Sequence, residues 1–275
     1  MPLLLQSVNL DTDFNELFAV EWAAWTSPPQ PEWELLCPVD NTSEATRTAS
    51  IEHHKVMHLH KLGMSPESQW LKVIDSETGA IVAGALYKIY KTNPYRAPEE
   101  DFQAVWWPEG GDMRQLIERC NKTLSGNRVR IMSEAHVCMY ANLNDPSISC
   151  FSISTKLHRI ADLNNVFTHP SHRRRGAAAI LVEWGVKKAD EMGVEAYCEG
   201  GLLGKRVYER FGYVHVGTVK FDLEIENPTE KWKEYAQRIE AGAPAIMWRP
   251  IGGKYDKGKT VLPWTGKTED VDLPL

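Results

Sequence analysis

Apolar, β-rich residues fill two runs along "QWLKVIDSETGAIVAGALYKIY", Gln69 to Tyr90. Two β-rich runs flank the turn-forming stretch Ser76-Glu77-Thr78-Gly79, so the pattern predicts a hairpin. A shorter apolar run, Leu3 to Val8, predicts a first strand. "TDFNELFAVEWAAWT" (Thr12 to Thr26) predicts a helix, capped by Thr12 or Asp13, with Glu16 completing a capping box. Its stripe is mixed: Leu17, Val20, Glu21 and Trp25 do not make a clean apolar face. "SPPQPEWELLCP" reads as loop from its prolines, and "NTSEATRTASIEHHKVMHLHKLG" as a second helix ended by Gly63. Lys91 to Gly126 is Pro- and Trp-rich with one short helical pattern, which suits an insertion or a substrate-facing segment. "RVRIMSEAHV" suits strand or helix.

The C-terminal half is more regular. "LNNVFTHP" predicts a strand stopped by Pro170. Gly176 to Met192 predicts a helix, with Ala177, Ile180, Leu181 and Trp184 at helical spacing and Gly193 as its terminator. Glu183 stands four residues before Lys187, the favourable order for a helical pair. "VEAYCEG" predicts a strand, "GKRVYERFGY" a short helix ending at Gly212, and "YVHVGTVKFDL" another strand. Lys231 to Ala241 predicts a helix and "APAIMWRP" a last strand. Residues 251–275 are polar and read as a loose tail behind a domain over residues 1–250. No internal repeat is visible. Strands and helices mix without strict alternation, so the expected class is α/β (α+β) around a mixed sheet.

The 275 residues are 43 % hydrophobic and 25 % charged, the balance of a globular protein with its own core. The net charge of -6 speaks against a dedicated nucleic-acid binder. The five cysteines (Cys37, Cys120, Cys138, Cys150, Cys198) form no CxxC pair, so neither a disulfide framework nor a zinc knuckle is expected. The N-terminal apolar run lacks a basic flank, and no stretch approaches the ~20 apolar residues of a membrane span. The expectation is a soluble cytoplasmic protein, the nucleus left open, with neither nucleic acid nor membrane as partner.

Against this acidic background, Arg173, Arg174 and Arg175 stand together before Gly176 and the alanines Ala177, Ala178 and Ala179. The first N–H groups of a helix have no intrahelical partner and carry about half a positive charge. Small residues let a ligand approach them, and arginines add charge and forked donors. Such a turn can cradle a phosphate or pyrophosphate. A solvated basic turn before an alanine-rich packed helix is the alternative from composition alone. "EGGLLGKR" fails the phosphate-loop pattern, because Glu199 stands where its first glycine belongs and Arg206 replaces Ser/Thr. No GxGxxG follows a strand.

"VFTHPSHRRRGAAAILVEWG" resembles motif A of the GNAT superfamily of acyl-CoA N-acyltransferases, [RQ]-x-x-G-x-[GA], here Arg173, Gly176 and Ala178. "LLGKRVYERFGYVHVG" resembles its motif B, with Tyr208 and the pair Gly212-Tyr213. "YCEGGLLG" is similar to the acidic strand end of fungal-type members. The resemblance covers residues 160–223 most strongly. It implies a mixed, mostly antiparallel sheet with a splayed strand pair, flanked by helices. It implies acetyl-CoA as co-substrate, no metal, and direct attack by a primary amine in a ternary complex. Val166, Phe167 and Thr168 would pair by backbone with the pantetheine arm, and Arg173 to Ala179 would hold the pyrophosphate.

The resemblance also implies that Tyr208 protonates the leaving thiolate; a core aromatic beside Val207 and Phe211 is the other reading. The general base stays open between Glu199 and Asp162, each equally a salt-bridge or cap residue. Asn164 falls where relatives often carry an acid and is no base. His54 and His58 share a helix face, better read as solvated than as metal-binding. Cys198 reads as a buried cysteine, and Trp106 and Trp107 as acceptor-pocket lining or core. Cys138 to Ile160 departs from the family as an apparent insertion. Three readings follow: an N-acetyltransferase, a catalytically weak acyl-CoA-binding or interaction protein on the same fold, and a nucleotide phosphate-binding protein, which the failed motifs disfavour. Acetyl-CoA and an amine, small or protein-borne, are the expected partners, and the chain is expected to be a monomer or homodimer.

Overall fold

The computed structural model describes residues 2–63, 68–90, 102–132, 160–201 and 204–264. In chain order the elements are β1 (Leu3–Ser7), α1 (Leu10–Thr26), α2 (Pro31–Leu36), α3 (Glu44–Gly63), β2 (Ser68–Asp75), β3 (Ile81–Tyr90) and α4 (Asp112–Met132), followed by β4 (Ile160–Thr168), α5 (Ala177–Met192), β5 (Ala196–Gly200), α6 (Lys205–Arg210), β6 (Val214–Thr218), α7 (Glu230–Ala241) and β7 (Ala245–Arg249). The strands form one sheet in the order β1-β2-β3-β4-β5-β7-β6. Every neighbouring pair is antiparallel except β4 and β5. This is the mixed α/β sheet that the sequence predicts. The apparent insertion at 138–160 lies outside the described residues, apart from Ile160, where β4 begins.

Alternation along each strand divides the apolar side chains between two faces. Leu71, Val73, Ala83, Ala85 and Tyr87 pack under α5 with Leu181, Val182 and Val186. Trp70, Leu86 and Phe167 face the other way, onto Leu17 and Val20 of α1. On the far strands, Cys198 and Met247 join the α5 side, while Tyr197 and Ile246 meet Ile131 and Met132 of α4.

Two glycines set how closely the layers approach. A Cβ on Gly185 would stand 2.3 Å from the Tyr87 hydroxyl, which donates to the Leu181 carbonyl at 3.0 Å. A Cβ on Gly84 would stand 2.5 Å from the Phe167 ring. Helix α5 and strand β4 are seated by contacts that leave no room for a methyl group.

Four elements differ from their sequence-based expectations. Helix α1 begins before Thr12: Asn9 is its cap, accepting from the Asp11 N–H at 3.0 Å while Asp13 accepts from the Asn9 N–H at 2.8 Å. The stretch expected as loop contains α2, because Pro31 occupies the first helical turn, where no N–H is needed. The short helical pattern within Lys91–Gly126 is the start of α4, which runs on through Gly126 to Met132. Its buried Met113, Leu116, Ile117 and Cys120 pack with Trp232 and Ile239 of α7. Finally, residues 251–264 are not loose. Leu262 is buried, the rings of Trp264 and Trp248 meet at 5.4 Å, and Gly253 lies against the Arg249 guanidinium.

Gly185→Ala tests the seating of α5. Alanine favours helix by roughly 1 kcal/mol, yet its methyl group collides with Tyr87. A net destabilisation of about 1–3 kcal/mol is expected, read from urea unfolding. A stabilised variant would show that α5 can shift freely.

Candidate active site

Strands β4 and β5 run parallel and pair only at Ala161↔Ala196 and Asp162↔Tyr197. Beyond these positions each strand keeps only its outer partner. Val166, Phe167 and Thr168 pair with Ala85, Gly84 and Ala83 of β3. Glu199 and Gly200 pair with Ile246 and Ala245 of β7. The strands therefore part toward their C-terminal ends, where α/β sheets place their ligands. The β3–β4 register also shifts between Leu86 and Tyr87, which leaves Asn164 as an extra residue on β4 just below the parting.

The open edge of β4 leads through a Pro170–His172 turn into α5. Arg174 has φ 62 and Gly176 φ 94, so the chain twice enters the left-handed region before the helix. Gly176 is the N-cap and supplies no side-chain acceptor. The first N–H groups of α5 thus keep their hydrogen-bonding capacity. A Cβ at Gly176 would meet nothing within 4 Å, so the turn is open. Ala177 is buried, while Ala178 and Ala179 are half-buried.

The three arginines differ. Arg173 donates to the Ala24 carbonyl of α1 at 3.0 Å. Arg175 donates to Asp75 at 2.8 Å and lies 2.6 Å from His172 Nδ1. The Arg175 hydrogen bond holds the Asp75 carboxyl below the usual carboxylate range. Arg174 is exposed. Two arginines therefore brace the turn against α1 and β2, a role their clustering alone did not reveal.

Tyr208 sits across the parting, at the end of β5. A Cβ on Gly200 or Gly204 would stand 2.7 or 2.9 Å from its ring, and the Tyr213 ring is 5.6 Å away. Burial pushes the phenol well above its ordinary pKa, with smaller contributions from Cys198 and Tyr87. It therefore stays protonated through neutral pH, as a proton donor must. The ring is part of the core, as one of the two expected readings has it.

Glu199 lies on the opposite face from Tyr208's ring cluster. Arg128 of α4 grips it from two nitrogens, Nη2 to Oε2 at 2.9 Å and Nε to Oε1 at 3.0 Å, and the Tyr197 hydroxyl donates to Oε1 at 2.9 Å. The partner Arg128 was missed because it opens a stretch that suited either strand or helix.

A second carboxylate was missed altogether. Glu21 of α1 is only 1 % exposed. Asn165 Nδ2 donates to its Oε1, and His58 Nε2 of α3 is 3.4 Å from its Oε2. Burial raises its pKa to about 8, against the opposing Asn165 hydrogen bond. The unfolded chain loses this proton near 4.5, so the native state loses stability as pH rises from there toward 8. The signal was present: Glu21 is the residue that spoils the apolar stripe of α1.

The remaining candidates have structural partners. His54 Nε2 lies 2.7 Å from the Pro38 carbonyl and His58 faces Glu21, so the two do not form a metal face. No His/Cys/Asp/Glu group suited to a metal occurs among the described residues. Trp106 and Trp107 both donate to the Leu35 carbonyl, at 2.9 and 2.8 Å, and staple α2. Cys198 is buried. No described helix is long and apolar enough to cross a membrane. The side chain of Asp162 lies outside the described residues.

The model of the Acetyltransferase (GNAT) family matches residues 85–213, from β3 through Tyr213. With the parted β4–β5 pair and the open turn before α5, this stretch is an acetyltransferase (GNAT) domain, and the protein is an acyltransferase. Among solved structures, the chain is similar to a Drosophila melanogaster polyamine N-acetyltransferase at 13 % identity and TM-score 0.50, covering 90 % of this chain and 98 % of that one. It is also similar to the C-terminal condensation domain of Ebony, at 13 % identity and TM-score 0.51, covering 91 % and 100 %. At these identities the likeness is one of fold. No curated protein matches the chain.

The grip on Glu199 is testable. Arg128→Met keeps the aliphatic stem but leaves the carboxylate to Tyr197 alone. Hydrogen bonds to charged groups contribute about 1.5–3 kcal/mol, so a loss of that order is expected in urea unfolding. Adding Glu199→Met should recover most of it. Additive losses would mean that the pair is not coupled.

Proposed function

We propose that this protein transfers the acetyl group of acetyl-CoA to a primary amine by direct attack within a ternary complex. The observation that carries the reading is the open edge of β4, running without a β5 partner into the uncapped N-terminus of α5. A strand edge offers N–H and C=O groups to an extended, amide-bearing arm, and the helix N-terminus offers N–H groups to a pyrophosphate. In this reading Val166, Phe167 and Thr168 serve the arm. Gly176, Ala177, Ala178 and Ala179 serve the phosphates, with Arg174 as the available cation, while Arg173 and Arg175 fix the turn. The thioester, when bound, supplies the electrophilic carbonyl. Tyr208 gives its proton to the departing sulfur, and Glu199 with Arg128 lines the β5 side as a charge-compensated wall.

Gly176→Glu places a carboxylate in the cradle, where it repels a pyrophosphate, and strains a backbone of φ 94. Calorimetric titration should show acetyl-CoA binding lost in a variant that still folds. Unchanged affinity would remove the cradle from the site.

Tyr208→Phe keeps the packing on Gly200 and Gly204 and removes only the O–H. General acid catalysis contributes ~10²–10⁴-fold, so kcat should fall within that range while acetyl-CoA affinity stays nearly unchanged. A wild-type kcat, with chemistry shown to limit the rate, would leave Tyr208 as a core residue only.

A further inference from the structure

We infer that Glu21 is the proton acceptor for the amine, and that Glu21, Asn165 and His58 form the floor of the acceptor site. This rests on the acetyltransferase reading and names what that reading lacks, a base and a substrate class.

Position is the first argument. Asn165 follows the extra residue of β4 and precedes Val166, where the strand has left β5. Its side chain holds Glu21 at 2.5 Å. Phe167, two residues on, points to the same α1 face, whereas Val166 packs toward α5. A thioester lying along the β4 edge would have Tyr208 on one face of the sheet and Glu21 on the other. A donor for the leaving group and an acceptor for the nucleophile belong on such opposite sides.

Unused hydrogen-bonding capacity is the second argument. Asn165 Oδ1 is buried with no hydrogen-bond partner. Beside the Glu21 carboxylate it offers another acceptor, and an ammonium brings three N–H donors. The surroundings are aromatic. Trp22 and Trp33 meet at 5.6 Å, Trp25 and Trp33 stack at 5.8 Å, and Phe18 and Trp33 lie 5.9 and 6.2 Å from the His58 ring. The indole N–H groups of Trp25 and Trp33 are also buried without hydrogen-bond partners. Aromatic walls around a carboxylate suit a cation on an apolar stem. The ligand chemistry is therefore a protonated primary amine on an unbranched apolar chain, whether a free alkylamine or the lysine of a peptide.

The proton balance closes. The ammonium gives one proton to Glu21, the nitrogen attacks the carbonyl carbon, and the C–S bond breaks. The nitrogen loses a second proton on becoming an amide, the thiolate takes one, and one proton in total leaves to solvent. His58, with an 18 % exposed side chain, leads from Glu21 to the surface. Among the described residues, the charged or titratable groups near this cluster are His58 and His54 from α3, and Arg173, which reaches the α1 carbonyl at Ala24. An arriving ammonium favours the ionised form of Glu21, so substrate itself readies the base.

Glu21→Gln tests the assignment, since glutamine is near in shape to the neutral acid and should preserve folding. The experiment measures kcat/KM against pH from 6 to 10 with acetyl-CoA and two acceptor arms, short alkylamines and a lysine-containing peptide, and acetyl-CoA affinity by calorimetry. The expected result is a loss of ~10²–10⁴-fold near neutral pH, a displaced ascending limb, and unchanged acetyl-CoA affinity. His58→Gln should lower kcat less and shift the same limb. The arm that turns over identifies the source of the amine. A Glu21→Gln profile that superimposes on the wild type overturns this assignment alone. Wild-type transfer to no amine, despite acetyl-CoA binding, overturns the acetyltransferase reading and this assignment with it.

Discussion

The arrangement depends on one pair of parallel strands that stop bonding to each other. Backbone N–H and C=O groups left unpaired inside a protein are costly, so two neighbouring strands do not part without support. Here each is secured on its outer side. Strand β4 stays registered with β3 to Thr168, and β5 pairs along its whole length with β7. The layers above and below are seated by the absence of side chains at Gly185 and Gly84. The gap is thus held open by the rest of the sheet, and its edges remain available to an extended ligand.

The two faces of the sheet make different electrostatic environments beside that gap. On the α5 side, Tyr208 lies among Tyr87, Cys198 and Tyr213, and burial keeps its proton in place. On the α1 and α4 side are two carboxylates in unlike company. Glu199 has a guanidinium gripping it, whereas Glu21 has an amide and an imidazole beside it. The first has each of its oxygens engaged by hydrogen bonds. The second is held toward its neutral form, because burial opposes its charge more than the Asn165 hydrogen bond favours it.

Much of this was legible in the sequence where local and global preferences agree. The hairpin of β2 and β3 follows from two β-rich runs around a turn, and α5 from a helical stripe closed by Gly193. The arginine–glycine turn and Tyr208 were visible as motifs. What was hidden depends on contacts between distant segments. Helix α4 carries Asn121, Ser125, Gly126 and Asn127, poor helix formers locally, and is held by packing on α7 and the sheet. Helix α2 was masked by prolines, though Pro31 stands where a proline starts a helix. The bracing roles of Arg173 and Arg175 require α1 and β2 to be in place. Glu21 was seen only as a flaw in an amphipathic pattern, and the flaw marks the buried carboxylate. Sites are where local rules fail for a reason.

The bonds that build the site span long stretches of chain: 100 residues from Asp75 to Arg175, 149 from Ala24 to Arg173, and 144 from Glu21 to Asn165. Contacts of such separation carry a large loop-closure cost and form late in folding. A growing chain on the ribosome exposes the arginine turn only after α1, β2 and β3 have been made, yet has no finished cradle until the sheet has closed around β4. A partly folded chain lacks the cradle, and a ligand that needs it stabilises only the assembled state. Cellular supply of such a ligand would then govern how long newly made molecules survive, as well as how fast mature ones turn over.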